Sequence, residues 1–180
     1  ENKYDESNRF LRNLNGLEDN HLNFSKKYLY SLVNSGQINE AFGYSKKLEK
    51  KGLDNFESDL ISGIFYIKRK KYNLAEKYFL KIKKRNSNFL LNDFLSDSLL
   101  NWSRLSNLDL EVAQRNIQEM DSKLGNIKEI QKVFLHCFYQ SKKTDFLFNK
   151  LVLNNKIDFS RYNYFYATFL ANSGQIQKAN

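Results

Sequence analysis

The tetrapeptide Ser35-Gly36-Gln37-Ile38 returns as Ser173-Gly174-Gln175-Ile176, and an alanine follows each copy three residues later, Ala41 and Ala179. A chain that copies itself at this scale folds as an array of like units, so the repeat is read before any single motif. Aromatic and small residues lead into both copies, Tyr28-Leu29-Tyr30-Ser31-Leu32 before the first and Tyr164-Phe165-Tyr166-Ala167-Thr168-Phe169-Leu170 before the second. A third copy lies between them: Gly63-Ile64-Phe65-Tyr66-Ile67, then Lys71-Tyr72-Asn73-Leu74-Ala75-Glu76-Lys77-Tyr78-Phe79. Ala75 stands 34 residues after Ala41, and Ser7 stands 34 before it. Continuing from Ala75, the phase falls on Ala113, Phe146 and Ala179, at spacings of 38, 33 and 33. The period is regular at both ends of the chain and weaker in the middle.

Each unit reads as two amphipathic helices. In the clearest one, the first helix runs from about Leu22 to Asn34, with Leu22, Tyr28, Leu29, Leu32 and Val33 recurring at three- and four-residue steps along one face. Ser35-Gly36 then supplies a tight turn, since glycine accepts the left-handed conformation that ends a helix. The second helix carries Ala41, Phe42, Tyr44 and Leu48 and stops near Gly52; Asp54-x-x-Glu57 reads as the cap of the next. The alanine allows two helix backbones to approach where they cross, and the aromatic that follows, such as Phe79 after Ala75, is expected to fill the groove between units. Proline is absent and glycine occurs only seven times, which argues against the many turns of a sandwich or barrel. The fold class is all-α.

This pattern resembles the tetratricopeptide repeat, whose unit favours a small residue in the middle of its first helix and alanine early in its second. Gly63 and Ala167 match the first position and Leu29 departs from it; Ala41, Ala75, Ala113 and Ala179 match the second, Ser7 is a tolerable variant and Phe146 departs. The resemblance implies an α-solenoid, a right-handed superhelix of stacked antiparallel helix pairs. One such segment is expected over 1–180, with units at 1–20 (partial), 22–54, 56–88, 89–125 (irregular), 126–158 (degenerate) and 160–180 (partial). It also implies a non-catalytic scaffold that binds a peptide or partner protein through its groove. The layout is similar to exported bacterial members of the family, which implies a periplasmic location. A sibling, the pentatricopeptide repeat, reads single-stranded RNA one base per unit. It is similar to Asn34-Ser35-Gly36-Gln37-Ile38-Asn39-Glu40-Ala41-Phe42 with Leu48-Glu49-Lys50-Lys51-Gly52, but the later units do not keep that pattern. The chain begins inside a second helix and ends just after a signature alanine, so a segment of a longer solenoid is expected.

In this family first helices line the concave side. Mapping the repeat onto that side selects Asn23, Lys26, Tyr30 and Asn34, then Glu57, Ile64 and Lys68, and in the last unit Arg161, Tyr164, Thr168 and Asn172. Asparagine and lysine suit the backbone or C-terminal carboxylate of an extended peptide, and tyrosine supplies contact area at low entropy cost.

Charge supports a rival. The stretch from Lys26 to Arg85 carries 15 Lys/Arg against 6 Asp/Glu and so holds the whole formal net charge of +9. Lys46, Lys47, Lys50, Lys51, Lys68, Arg69, Lys70, Lys71, Lys81, Lys83, Lys84 and Arg85 form a basic stripe that a nucleic acid would meet with its phosphates. Lysine outnumbers arginine 22 to 7 and asparagine occurs 23 times, the bias that an AT-rich coding sequence produces by itself.

Catalytic chemistry finds little footing. His136 and Cys137 are neighbours in a helical run, where adjacent side chains point about 100° apart. Asp93 and Asp97 read as a solvated helix face, and Trp102, the single tryptophan, as filler of an irregular gap or as an anchor for a ligand. No HExxH, GxSxG, Walker loop or GxGxxG occurs, and neither a metal nor a cofactor is expected. One cysteine excludes an internal disulfide. No run of about 18 apolar residues exists to span a membrane, and Glu1-Asn2-Lys3-Tyr4-Asp5 lacks the form of a signal peptide, though a removed leader is compatible.

Overall fold

A helix ends cleanly when the residue after its last turn turns left-handed and the next two amides reach back to its carbonyls. Among the described residues, five helix ends do so with one bonding pattern. At Gly36 (φ 71°) the amide of Gly36 bonds to the carbonyl of Val33 and that of Gln37 to Leu32, at 3.0 and 2.8 Å. The same two bonds recur at Gly52 and Gly174, as the glycines lead one to expect, and also at Lys70 (φ 57°) and Gln140 (φ 50°), where no glycine signals them.

The computed structural model describes residues 3–14, 16–85, 90–121, 123, 125–154 and 156–179. Among them are eleven α-helices and no strand: α1 Tyr4–Asn13, α2 Leu22–Asn34, α3 Ile38–Lys51, α4 Phe56–Lys68, α5 Tyr72–Lys84, α6 Leu90–Arg104, α7 Leu110–Glu119, α8 Gly125–Phe138, α9 Thr144–Val152, α10 Asn163–Asn172 and α11 Ile176–Ala179. Two compact units result, Glu1–Arg104 and Leu105–Asn180. In the first, each of α1 to α6 packs on the next, and α2 also touches α4, the helix next but one; in the second, α7 to α11 pack in sequence. The expected boundary at 88–89 falls outside the described residues, as does the side chain of Leu22.

Small residues set the crossings. Ala41, Ala75 and Ala113 are all fully buried early in α3, α5 and α7. The phase expected at Phe146 is a correction: that ring is 67% exposed, and the buried residue at the start of α9 is Thr144. Its hydroxyl donates to the carbonyl of Ser141 at 2.7 Å, so a polar side chain of nearly valine size enters the core without an unsatisfied group. The helix pair expected to be degenerate therefore forms, with Phe148 fully buried beside Val133, Leu151 and Phe159.

Phe79 lies against Gly63 inside the pair α4/α5 and in one buried cluster with Leu100 of α6, while α3 meets the next pair in part through Phe42 stacked on Phe65, with ring centroids 3.8 Å apart. Two further expectations are corrected. Val33 is exposed, and the buried face of α2 instead includes Phe24, Leu29 and Leu32. The cap of α4 sits one residue later than Asp54-x-x-Glu57: Asn55 accepts from the amide of Ser58, and Ser58 accepts from that of Asn55, both at 2.9 Å.

The Gly63–Phe79 contact sets a steep requirement. A methyl placed on Gly63 would stand 2.7 Å from Cζ of Phe79 and closer still to the ring edge. Alanine is favoured over glycine inside a helix by about 1 kcal/mol, but overpacking a filled crossing costs about 1–3 kcal/mol. Gly63→Ala is expected to destabilise by about 1 kcal/mol in urea titration, the overpacking cost less the helix-propensity gain, with Phe79→Leu beside it recovering part of the loss. At Lys70 the sign reverses. Relief of a left-handed backbone is worth about 1–2 kcal/mol against a glycine entropy cost of about 0.5–1 kcal/mol. Lys70→Gly is therefore expected to raise stability by about 0.5 kcal/mol.

Candidate functional site

Side chains four apart on a helix stand one above the other. Ser7 and Leu11 on α1, Lys26 and Tyr30 on α2, and Lys27 and Ser31 beside them therefore present two short walls. Glu57, in the first turn of α4, closes a third, at a position that suits a carboxylate because the helix N-terminus carries partial positive charge. Together these residues line a cavity of about 440 Å³ within the first unit. Its surface is mainly apolar: Leu11, the Tyr30 ring and the methylene stems of the two lysines.

Two buried polar atoms of its lining residues lack a partner. The Oγ of Ser31, a residue 4% exposed, has no hydrogen-bond partner, and neither has Oε2 of Glu57. The other oxygen of Glu57 lies 3.7 Å from Nζ of Lys26. Leaving a buried polar group unsatisfied costs about 1–3 kcal/mol, and both atoms are closed off from solvent behind the lining of the cavity.

Of the eleven residues chosen on repeat geometry, three, Lys26, Tyr30 and Glu57, meet here. Asn23, Asn34, Ile64 and Lys68 are exposed on the same two helices but do not line the cavity. Arg161, Tyr164, Thr168 and Asn172 belong to the second unit, on or just before α10, and all are exposed; the Thr168 hydroxyl donates to the carbonyl of Tyr164 in its own helix. Ser31, Lys27 and Leu11 were not selected. The only signal for Ser31 is a hydroxyl set between the apolar Leu29 and Leu32.

Half of the basic stripe is paired with acids. Lys47 and Lys51 both reach Glu18, whose side chain is fully buried, and Lys51 also holds Asp19. The pattern recurs 34 residues on, where Lys81 pairs with Glu49 and Arg85 with Asp54 and Asp59. Tyr78 donates to Glu49 at 2.8 Å, Lys46 pairs with the same carboxylate, and Lys83 pairs with Asp97. Lys50, Lys68, Arg69 and Lys84 cluster in the last turns or caps of α3, α4 and α5, where the negative end of the helix dipole favours cations. The Arg69 guanidinium also covers the Phe65 ring at 4.3 Å.

The other residues weighed for chemistry sit in packing roles. His136 is buried with Nε2 3.1 Å from Oε1 of Gln114, and burial together with Lys132 and Lys143 lowers its pKa. Burial raises that of the half-buried Cys137. Among the described residues no group of three His, Cys, Asp or Glu could hold a metal ion, and no helix is long and apolar enough to cross a membrane.

The ion pairs give the fold a pH signature. Burial opposes ionisation of Glu18, but hydrogen bonds from Lys47, Lys51 and the Gly16 amide overcome it and hold its pKa at about 2; Lys46, Lys81 and Tyr78 do the same for Glu49. A depressed folded-state value means that stability is fully present above the unfolded carboxylate range near 4.5 and is lost as pH falls toward 2. Glu18→Gln is expected to cost about 2 kcal/mol at pH 7 and to flatten the acid limb of the stability curve between those limits; an unchanged limb would discount the pairing.

Against known proteins, no family model, no curated protein and no solved structure matches the chain.

Proposed function

We propose that this chain is a non-catalytic protein-interaction scaffold, a tetratricopeptide-like α-solenoid segment that holds an extended stretch of a partner protein against successive first helices. The observation that carries the reading is the cavity bounded by α1, α2 and α4, where Lys26, Tyr30 and Glu57 converge around Ser31. The contact between α2 and α4, first helices of consecutive pairs, supports the solenoid reading, because such helices line one continuous face when pairs stack. The 34-residue recurrence of Asn23 as Glu57, Tyr30 as Ile64 and Asn34 as Lys68 supplies that face with side chains at equivalent places, all exposed but the half-buried Glu57.

The rival, a nucleic-acid-associated helical repeat, draws on Lys46 to Arg85. The engagement of Lys46, Lys47, Lys51, Lys81, Lys83 and Arg85 with acids favours the scaffold over it, since a cation already paired releases fewer counterions on meeting phosphate.

A photo-crosslinking amino acid at position 30 tests both. The scaffold reading expects a crosslink, in lysate of the native cells, that protease removes and nuclease does not. It also expects Leu11→Glu, which puts a carboxylate into the apolar chamber, to abolish that crosslink while leaving the thermal unfolding midpoint near that of the parent. A nuclease-sensitive crosslink, or micromolar binding of a single-stranded RNA at about 0.15 M salt that falls log-linearly as salt rises, overturns it.

A further inference from the structure

A histidine buried between helices with no acid paired to it is held there as the neutral ring. His136 of α8 is 4% exposed and has no ion pair among the described residues. Its Nε2 lies 3.1 Å from Oε1 of Gln114 on α7, so with that oxygen as acceptor Nε2 carries the ring's proton. Nδ1 is buried and has no hydrogen-bond partner. We propose that this contact is an acid-released catch. A proton taken from solvent onto Nδ1 of His136 frees α7 from α8 and uncovers Ala113 and Ile117, the buried residues of α7, while α8 to α10 stay packed.

The surroundings decide what that proton costs. From α7, Glu111 and Arg115 line a cavity with the ring and Gln114, one acid against one base, both exposed. From the ring's own helix Lys132 bears on it, and from the start of α9 Lys143. Asp145, in the first turn of α9, accepts the hydroxyl of Tyr166 of α10 at 2.6 Å. Burial, then the two lysines, hold the pKa of His136 below that of a free imidazole. Stability is therefore fully present above the free value near 6.5 and is lost as pH falls below it. That window lies above the carboxylate window of Glu18 and Glu49. Helix α7 is the element to yield, since its main packing partner is α8, whereas α8 is also held by α9 through Val133, Phe148 and Leu151. The Tyr139 hydroxyl donates to the carbonyl of Leu108 at 2.7 Å, so the chain just before α7 stays tied to the end of α8.

Histidine NMR and amide hydrogen exchange on the intact chain test this. The His136 imidazole signal is expected to titrate below that of a capped histidine peptide. Amides of α7 are expected to exchange about threefold to tenfold faster at about pH 5.5 than at about pH 7, after correction for the intrinsic rate; about tenfold is the ceiling for one imidazole over that interval. Those of α9 and α10 should change by less than about twofold. His136→Gln, whose amide can donate to Gln114 but takes no proton, should hold α7 exchange flat over the same interval. Lys143→Glu, at an exposed position, sets a carboxylate where a cation opposed the imidazolium and should shrink the α7 gain by about twofold.

A His136 signal that titrates at or above the peptide's, an α7 gain that survives in His136→Gln, or an equal gain across α9 and α10 each overturns the proposal. If His136→Gln fails to fold, Lys143→Glu decides, and a gain that does not shrink there overturns it. The crosslink at position 30 belongs to the first unit and is judged separately.

Discussion

Where the helices of this fold pack, the fully buried positions early in α3, α5, α7 and α9 hold residues no larger than threonine. Ala41, Ala75 and Ala113 are each fully buried where a second helix crosses its neighbours, and Gly63 lies directly under the Phe79 ring. Dispersion between packed surfaces falls away within an ångström of added separation, so a larger side chain in these slots would weaken the aromatic contacts around them, Phe42 on Phe65 and Tyr66 on Tyr78. Thr144 shows which property is selected. The slot accepts a hydroxyl because the carbonyl one turn back satisfies it, so small volume and a satisfied hydrogen bond are the requirement and an apolar surface is not.

Outside the slots, charge does the work that apolar residues do within them. Tyr44, Lys47 and Lys51 return 34 residues later as Tyr78, Lys81 and Arg85, and each set reaches acids of an earlier segment, Glu18 and Asp19 or Glu49 and Asp54. An acid as buried as Glu18 is tolerated only with its cations in place, since removing one partner of a buried pair costs far more than the pair contributes by itself. The penalty for mispairing is thus larger than the gain from pairing, which makes the ladder better suited to fixing register than to adding stability. The concentration of net charge in one stretch follows from that ladder and from cations gathered at helix C-termini.

Features that depend on one residue type at one place were readable in the sequence, and features that depend on a crossing were not. Gly36, Gly52 and Gly174 announce their turns because glycine alone is at ease there; Lys70 and Gln140 adopt the same conformation under tertiary constraint and announce nothing. Ala41, Ala75 and Ala113 marked the slots, but Phe146 was taken for the fifth because spacing alone cannot separate it from Thr144, two residues earlier. The cap of α4 shifted by one residue because Asn55 and Ser58 bond reciprocally, while Asp54 is drawn away by Arg85. At the cavity, the repeat phase located Lys26, Tyr30 and Glu57, since equivalent positions share a face. Leu11 and Ser31 escaped because their role exists only once α1 is laid beside α2.

Conserving the crossing leaves the outer face free to vary. Asn23 and Glu57 occupy equivalent positions 34 residues apart, as do Tyr30 and Ile64, and Asn34 and Lys68, yet no pair shares its chemistry. The partners that pack or pair at the same spacing do: Ala41 with Ala75, Tyr44 with Tyr78, Lys47 with Lys81. Residues that set the distance between helices are constrained by volume, and those that set register by charge. A solvent-facing position on a first helix is held by neither constraint, so only an external ligand gives its identity a consequence. Lys26, Tyr30 and Glu57 border one mainly apolar groove. None of the three is explained by the slot or by the ladder, and that is the physical ground for proposing recognition there.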